Sequence, residues 1–249
     1  MVSIIVVNFN GDCWIDLLLR SIKKTVSKDF LYEIVVVDNS NNSNLDYSCY
    51  GFDNIKYLPT HSTQRNFIDQ SFNNNGHNVS AGSFHHSFGL TLGFNNIDPQ
   101  SDRVLFLDHD TFFLKTEWDS VLNLLSFDSP ILGTRLETAY SFSFLRPMFL
   151  AIYKDFFFDF INNQNGIYPH RKYGDTACQL THKVKTENKN IILLKNSVNN
   201  KEMVSEFSFG ETAFDLNDIP FHHHFGRGFV DKEKRLPIIM DELEIKGLI

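Results

Sequence analysis

Three short runs constrain this chain more than any other feature. Ser3-Ile-Ile-Val-Val-Asn8, Glu33-Ile-Val-Val-Val-Asp38 and Val104-Leu-Phe-Leu-Asp108 are apolar at consecutive positions, and each runs into an Asn- or Asp-bearing turn. A strand with one wet face alternates apolar and polar residues. A continuous apolar run is a strand covered on both faces, as in a parallel sheet with helices on either side. Between the first two runs, Trp14, Leu17, Leu18 and Ile22 recur at helical spacing behind Asp12, a residue type suited to an N-cap. Strand, helix and strand in close succession form a βαβ unit with a right-handed crossover.

Further strands are expected at Asn54–Leu58, Ile131–Arg135, Met148–Tyr153 and Ile191–Leu194. Helices are expected at Gly82–Phe94, Trp118–Leu125 and Asp175–Lys185, with Lys154–Ile161 a helix or a strand–helix corner. The last stretch reads as a His-rich segment, Phe221 to Gly228, and then a charged tail. No internal repeat or long linker interrupts the chain, which predicts one α/β domain with a mostly parallel central sheet flanked by helices.

Composition narrows the classes. The 249 residues carry 23 Lys plus Arg against 30 Asp plus Glu, a net charge of −7, and 42% are hydrophobic. That balance excludes collagen-like and wholly disordered chains. The absence of a basic stripe disfavours a nucleic-acid partner. Apolar runs are far too short for a membrane-spanning helix, and the first residues lack the basic start and cleavage site of a signal peptide. Cys13, Cys49 and Cys178 lack metal-type spacing, and an odd, low count fits a reducing compartment, so a cytoplasmic location is expected.

In an open parallel sheet, ligands bind beyond the carboxyl ends of the strands. Three such ends here are polar: Asn8 to Asp12, Asp38 to Asn42, and Asp108-His109-Asp110. If the chain stays extended through the last of these, Asp108 and Asp110 share a face and His109 points away. Two carboxylates so held suit a hard divalent cation such as Mn²⁺ or Mg²⁺. A second cluster, Phe221-His222-His223-His224-Phe-Gly-Arg227-Gly, places Arg227 between two glycines, where a guanidinium suits a phosphate.

Ser3 to Asn10, Ile34 to Ser40 and Leu105 to Asp110 together resemble the signature segments of family 2-like glycosyltransferases with the GT-A fold, in the same order and over roughly residues 1–115. The resemblance implies a nucleotide-sugar-binding half, 1–115, and an acceptor-binding half, 116–249. It implies a sugar nucleotide, UDP- or dTDP-linked, lying across the strand ends. Backbone near Val7, with Asn8, would line the base pocket; Asp38 would hydrogen-bond the base. Asp108 would reach ribose and metal, and Asp110 would ligate the metal. His224, with His222 next, would complete the metal site, and Asp175 would be the catalytic base of an inverting transfer to an acceptor hydroxyl. Arg65, His85 and His86 stand in the segment where the family often has an Arg or Asn that contacts the nucleotide. Other readings are a non-catalytic sugar-nucleotide or glycan-binding module, a nucleotidyltransferase, which would want more than the one glycine of the first turn, and a metal-dependent hydrolase.

Overall fold

The computed structural model describes residues 1–40, 46–60, 81–114, 116–133, 136–139, 142–145, 147–164, 166–170, 175–196, 212–215, 220–223 and 232–249. In chain order these form β1 (Val2–Asn8), α1 (Asp12–Thr25), β2 (Tyr32–Asp38), β3 (Ile55–Pro59), α2 (Ala81–Phe94), β4 (Arg103–Asp108) and β5 (Thr111–Phe113). There follow β6 (Ile131–Gly133), β7 (Leu136–Ala139), β8 (Phe142–Leu145), β9 (Phe149–Tyr153), α3 (Lys154–Gln164) and α4 (Cys178–Thr186). The last elements are β10 (Ile191–Leu193), β11 (Lys195–Asn196), β12 (Thr212–Asp215), β13 (Pro220–His223) and α5 (Lys232–Ile245).

The described strands form a main sheet of order β10-β6-β9-β4-β1-β2-β3. β1, β2, β3 and β4 run parallel, as do β6 and β10; β9 runs antiparallel between β4 and β6. Continuous apolar runs put alternate side chains into two cores. On one face Ile4, Val6, Ile34, Val36, Leu105 and Leu107 pack with Ile15, Leu18, Leu19 and Ile22 of α1. On the other, Ile5, Val7, Val35, Val37, Val104 and Phe106 pack with Leu90 and Phe94 of α2 and with α3 and α4. Leu18 is fully buried, so cutting it to Ala would cost about 2–5 kcal/mol through lost transfer energy and the cavity left behind.

The strand order reverses between β1 and β4, since β2 and β3 extend one way and β4 the other. In open α/β sheets such a switch point, at the carboxyl ends of the two central strands, is where ligands bind. Helix α2 reaches it because Gly89 and Gly93 lie flat on β1: a Cβ at Gly89 would sit 2.7 Å from Val7 Cγ1, and one at Gly93 2.5 Å from Ile5 Cγ2.

A second sheet, β11-β12-β13-β5, is antiparallel and includes the strand that follows the Asp-x-Asp turn. Three elements depart from expectation. Trp118–Leu124 is a 3₁₀ helix rather than an α-helix. Helix α4 starts at Cys178, three residues later than expected, with Ala177 as its N-cap at φ 64°. The charged tail is helix α5, whose Ile239 and Leu243 are buried with Trp14, Leu17 and Phe112. Among the described residues no helix is long and apolar enough to cross a membrane. Cys13, Cys49 and Cys178 are free thiols.

Candidate functional site

Parallel register brings the three polar strand ends together. Asn8 of β1 is paired with Asp38 of β2, and Val7 of β1 with Asp108 of β4. Asn8 is fully buried and organises the first turn. Its Oδ1 accepts from Gly11 N at 3.1 Å, its carbonyl from Asn39 N at 2.8 Å, and its Nδ2 donates to Asp12 Oδ1 at 2.9 Å. Gly11 rather than Asp12 is the N-cap of α1 and supplies no side-chain cap bond; Asn8 instead takes the N–H of Gly11 itself. Asn10 takes a left-handed conformation at φ 51°, which bends the chain out of β1 and lets its N–H donate to Ser40 Oγ at 2.7 Å.

Asp38 is 2% exposed. Its Oδ1 accepts from Ser40 N at 2.8 Å and makes a long contact with Asn8 Nδ2 at 3.5 Å; its Oδ2 accepts from the Tyr57 hydroxyl at 3.0 Å. The carbonyl of Asp38 takes both Thr60 N and Thr60 Oγ1. Burial, followed by the bond to Asp38, pushes the Tyr57 hydroxyl up to about 12.

The Asp-x-Asp segment does not stay extended. β4 ends at Asp108, and His109 and Asp110 form a turn before β5. Strand alternation therefore does not govern this pair. Asp108 is partly exposed, with His86 Nε2 of α2 3.4 Å from its Oδ1, whereas Asp110 is 5% exposed. His109 lies against the first turn: a Cβ on Gly11 would sit 2.3 Å from His109 Cδ2. A glycine at position 11 is thus what lets the first and third turns touch.

Asp175 lies just ahead of α4. Its Oδ1 accepts from Thr176 N at 2.7 Å, and Cys178 N donates to its carbonyl. The buried Thr176 hydroxyl donates to Ser83 O at 3.1 Å and lies 3.2 Å from Ser87 Oγ, so the Asp175 turn hangs from α2, the helix that carries His86. His222 is opposite Phe112 in the β13–β5 register, two positions beyond Asp110. His224, Arg227 and Arg65 lie outside the described residues. Asn39 Nδ2 donates to His85 O at 2.9 Å, so His85 contributes its backbone to this turn.

Several solved structures share this fold. The mannosyltransferase PcManGT from Pyrobaculum calidifontis, solved with GDP-Man and Mn²⁺, matches 77% of this chain at a TM-score of 0.52 and 12% identity. The galactosyltransferase LgtC, solved with donor and acceptor sugar analogs, matches 99% of this chain and 100% of its own at a TM-score of 0.53 and 13% identity. An active-site mutant of LgtC matches over the same shares at 0.55 and 14%. This chain has the GT-A fold. It spans about half, 54%, of the length of PcManGT. No protein-family model and no curated protein matches the sequence.

Carboxylate oxygens such as those of Asp108 and Asp110 are the donor type that Mn²⁺ and Mg²⁺ take. Among the described residues no group of three or more His, Cys, Asp or Glu side chains converges as a complete metal site. One residue at these strand ends escaped sequence reasoning: Tyr57 reaches Asp38 from the neighbouring strand, and only sheet register reveals it.

Proposed function

We propose that the chain transfers a sugar from a nucleoside-diphosphate sugar, uridine- or thymidine-linked, to an acceptor hydroxyl, using Mn²⁺ or Mg²⁺. One observation carries this reading: Asn8, Asp38 and Asp108 converge at the strand-order reversal of a GT-A sheet. The mannosyl- and galactosyltransferases that share the fold support it.

In this reading the base lies beside Val7, Asn8 and Phe9 and is hydrogen-bonded by Asp38. Asp108 holds the ribose and, with Asp110, the cation; His224, with His222, adds ligands. A bound cation supplies positive charge where the diphosphate leaves. Arg227 adds a second positive group on the same phosphates. Asp175 accepts the proton of the acceptor hydroxyl as its oxygen forms the bond to the anomeric carbon and the nucleoside diphosphate departs. A single displacement of this kind inverts the anomeric configuration. The acceptor is held by residues after 115, and both halves act as one domain.

The test is release of nucleoside diphosphate from a panel of nucleotide sugars with a mixed acceptor pool. Turnover is expected with Mn²⁺, is abolished by EDTA and falls at least about a hundredfold in Asp110→Ala, the scale of a lost group that offsets transition-state charge. Turnover untouched by both would remove the reading. Nucleotide-sugar binding without turnover would return the chain to the non-catalytic class.

A further inference from the structure

A carboxylate has about four acceptor positions. Three donors already lie against Asp38. Ser40 N at 2.8 Å and the Asn8 amide at 3.5 Å crowd Oδ1, and the Tyr57 hydroxyl at 3.0 Å takes one place on Oδ2. Among the described residues these leave one place, on Oδ2 beside Tyr57. Asp38 is 2% exposed while Tyr57 is 42% exposed, so a ligand that reads Asp38 also meets Tyr57.

Tyr57 is not free to swing aside. Its ring stacks on Tyr47, with centroids 4.8 Å apart and planes at 28°, and Tyr47 is itself buried. Its hydroxyl, pushed up to about 12, remains a donor at neutral pH.

We propose that Tyr57 is a specificity-determining residue for the base of the donor, because its hydroxyl reduces Asp38 to a single-place acceptor. A single place fits the one imide N–H of uracil or thymine. The guanine edge offers two adjacent N–H groups and needs both carboxylate oxygens open. The second would be left buried without a partner, the kind of mismatch that gives strong discrimination. This inference rests on the nucleotide-sugar reading above and deepens it: the base class is set by a tyrosine on β3 as much as by Asp38.

The experiment is calorimetric titration of the full chain with UDP, dTDP and GDP in the presence of Mn²⁺, for the native protein and for Tyr57→Phe. The native protein is expected to bind UDP and dTDP at least about tenfold tighter than GDP, the scale of one hydrogen bond to a charged group. In Tyr57→Phe the gap closes, because GDP gains affinity while UDP changes little. Tyr57→Leu, a second variant without the hydroxyl, closes it too, and melting curves confirm that both are folded. Equal weakening of all three nucleotides in the variants, or an unchanged preference, overturns the proposal. A native preference for GDP overturns it and leaves the transferase reading standing. Failure of the native protein to bind any of the three removes both.

Discussion

Glu33 and Asp38 stand at opposite ends of β2, and each is 2% exposed, yet their surroundings differ in kind. Glu33, at the amino end, is met by a full charge: Lys56 Nζ lies 2.8 Å from its Oε2. Ser3 Oγ at 2.5 Å and the backbone N–H of Asp98 also donate to it. Asp38, at the carboxyl end, is met among the described residues by neutral groups alone: an amide N–H, an Asn side chain and a phenol. β3 supplies a partner to both from consecutive residues, Lys56 to one and Tyr57 to the other. Glu33 is closed, with its charge offset inside the protein. Asp38 is held in position without a cation among the described residues, and a carboxylate in that state attracts a polarised N–H from outside. One end of the strand is built for stability and the other for recognition.

The largest test of this contrast falls on the neighbouring strand. Asp108→Asn keeps the size of the side chain and removes its charge; turnover should fall at least about a hundredfold, read as nucleoside diphosphate released, with the melting temperature nearly unchanged. Asp38→Ala should weaken nucleotide binding by about tenfold or more, measured by titration, again with a small effect on stability. Lys56→Met should do the reverse. It leaves Glu33 buried without its cation, and because Lys56 is itself half-exposed the cost is about 1–2 kcal/mol rather than the larger penalty of a fully buried pair. Thermal denaturation should record a drop of roughly 3–6 °C with nucleotide affinity intact. If Lys56→Met lost the nucleotide and Asp38→Ala lost only stability, the two ends would have been assigned the wrong way round.

The smallest effect is a pH dependence. Tyr57 titrates in the unfolded chain near its ordinary value of 10 and in the fold near about 12. The neutral phenol is therefore favoured by folding, and its contribution is present below pH 10 and lost as pH rises from 10 to 12. The difference in melting temperature between the native protein and Tyr57→Phe should shrink across that window. A difference that stays constant would mean that neither burial nor the Asp38 bond raises this hydroxyl in solution.

The sequence revealed β1, β2 and β4 to within a residue or so at each end, because burial on both faces leaves a continuous apolar run. Direction leaves no such trace. Phe149–Tyr153 reads the same whether it runs with β4 or against it, and here it runs against. The second sheet was illegible because its strands span only two to four residues and their partners lie far away in the chain. Helix α5 was hidden by Lys232 to Arg235 and Pro237, although Leu236, Ile239, Met240 and Leu243 carry a helical seam. At the site, the three strand ends were legible and their adjacency followed from parallel order. The geometry of Asp108 and Asp110 was not, because the strand stops at Asp108, two residues short of Asp110. Tyr57 and His86 leave no local pattern; sheet register delivers one and the packing of glycines against β1 the other.

The pairing of β5 with β13 sets an order in time. Phe113 is joined to Phe221 and Thr111 to His223, so the strand that follows the Asp-x-Asp turn is paired across roughly 110 residues of chain, a separation that slows closure. On a ribosome, the acidic turn emerges long before the strand that anchors it. A nascent chain stalled after β10 therefore holds the three strand ends with β5 still lacking its partner β13.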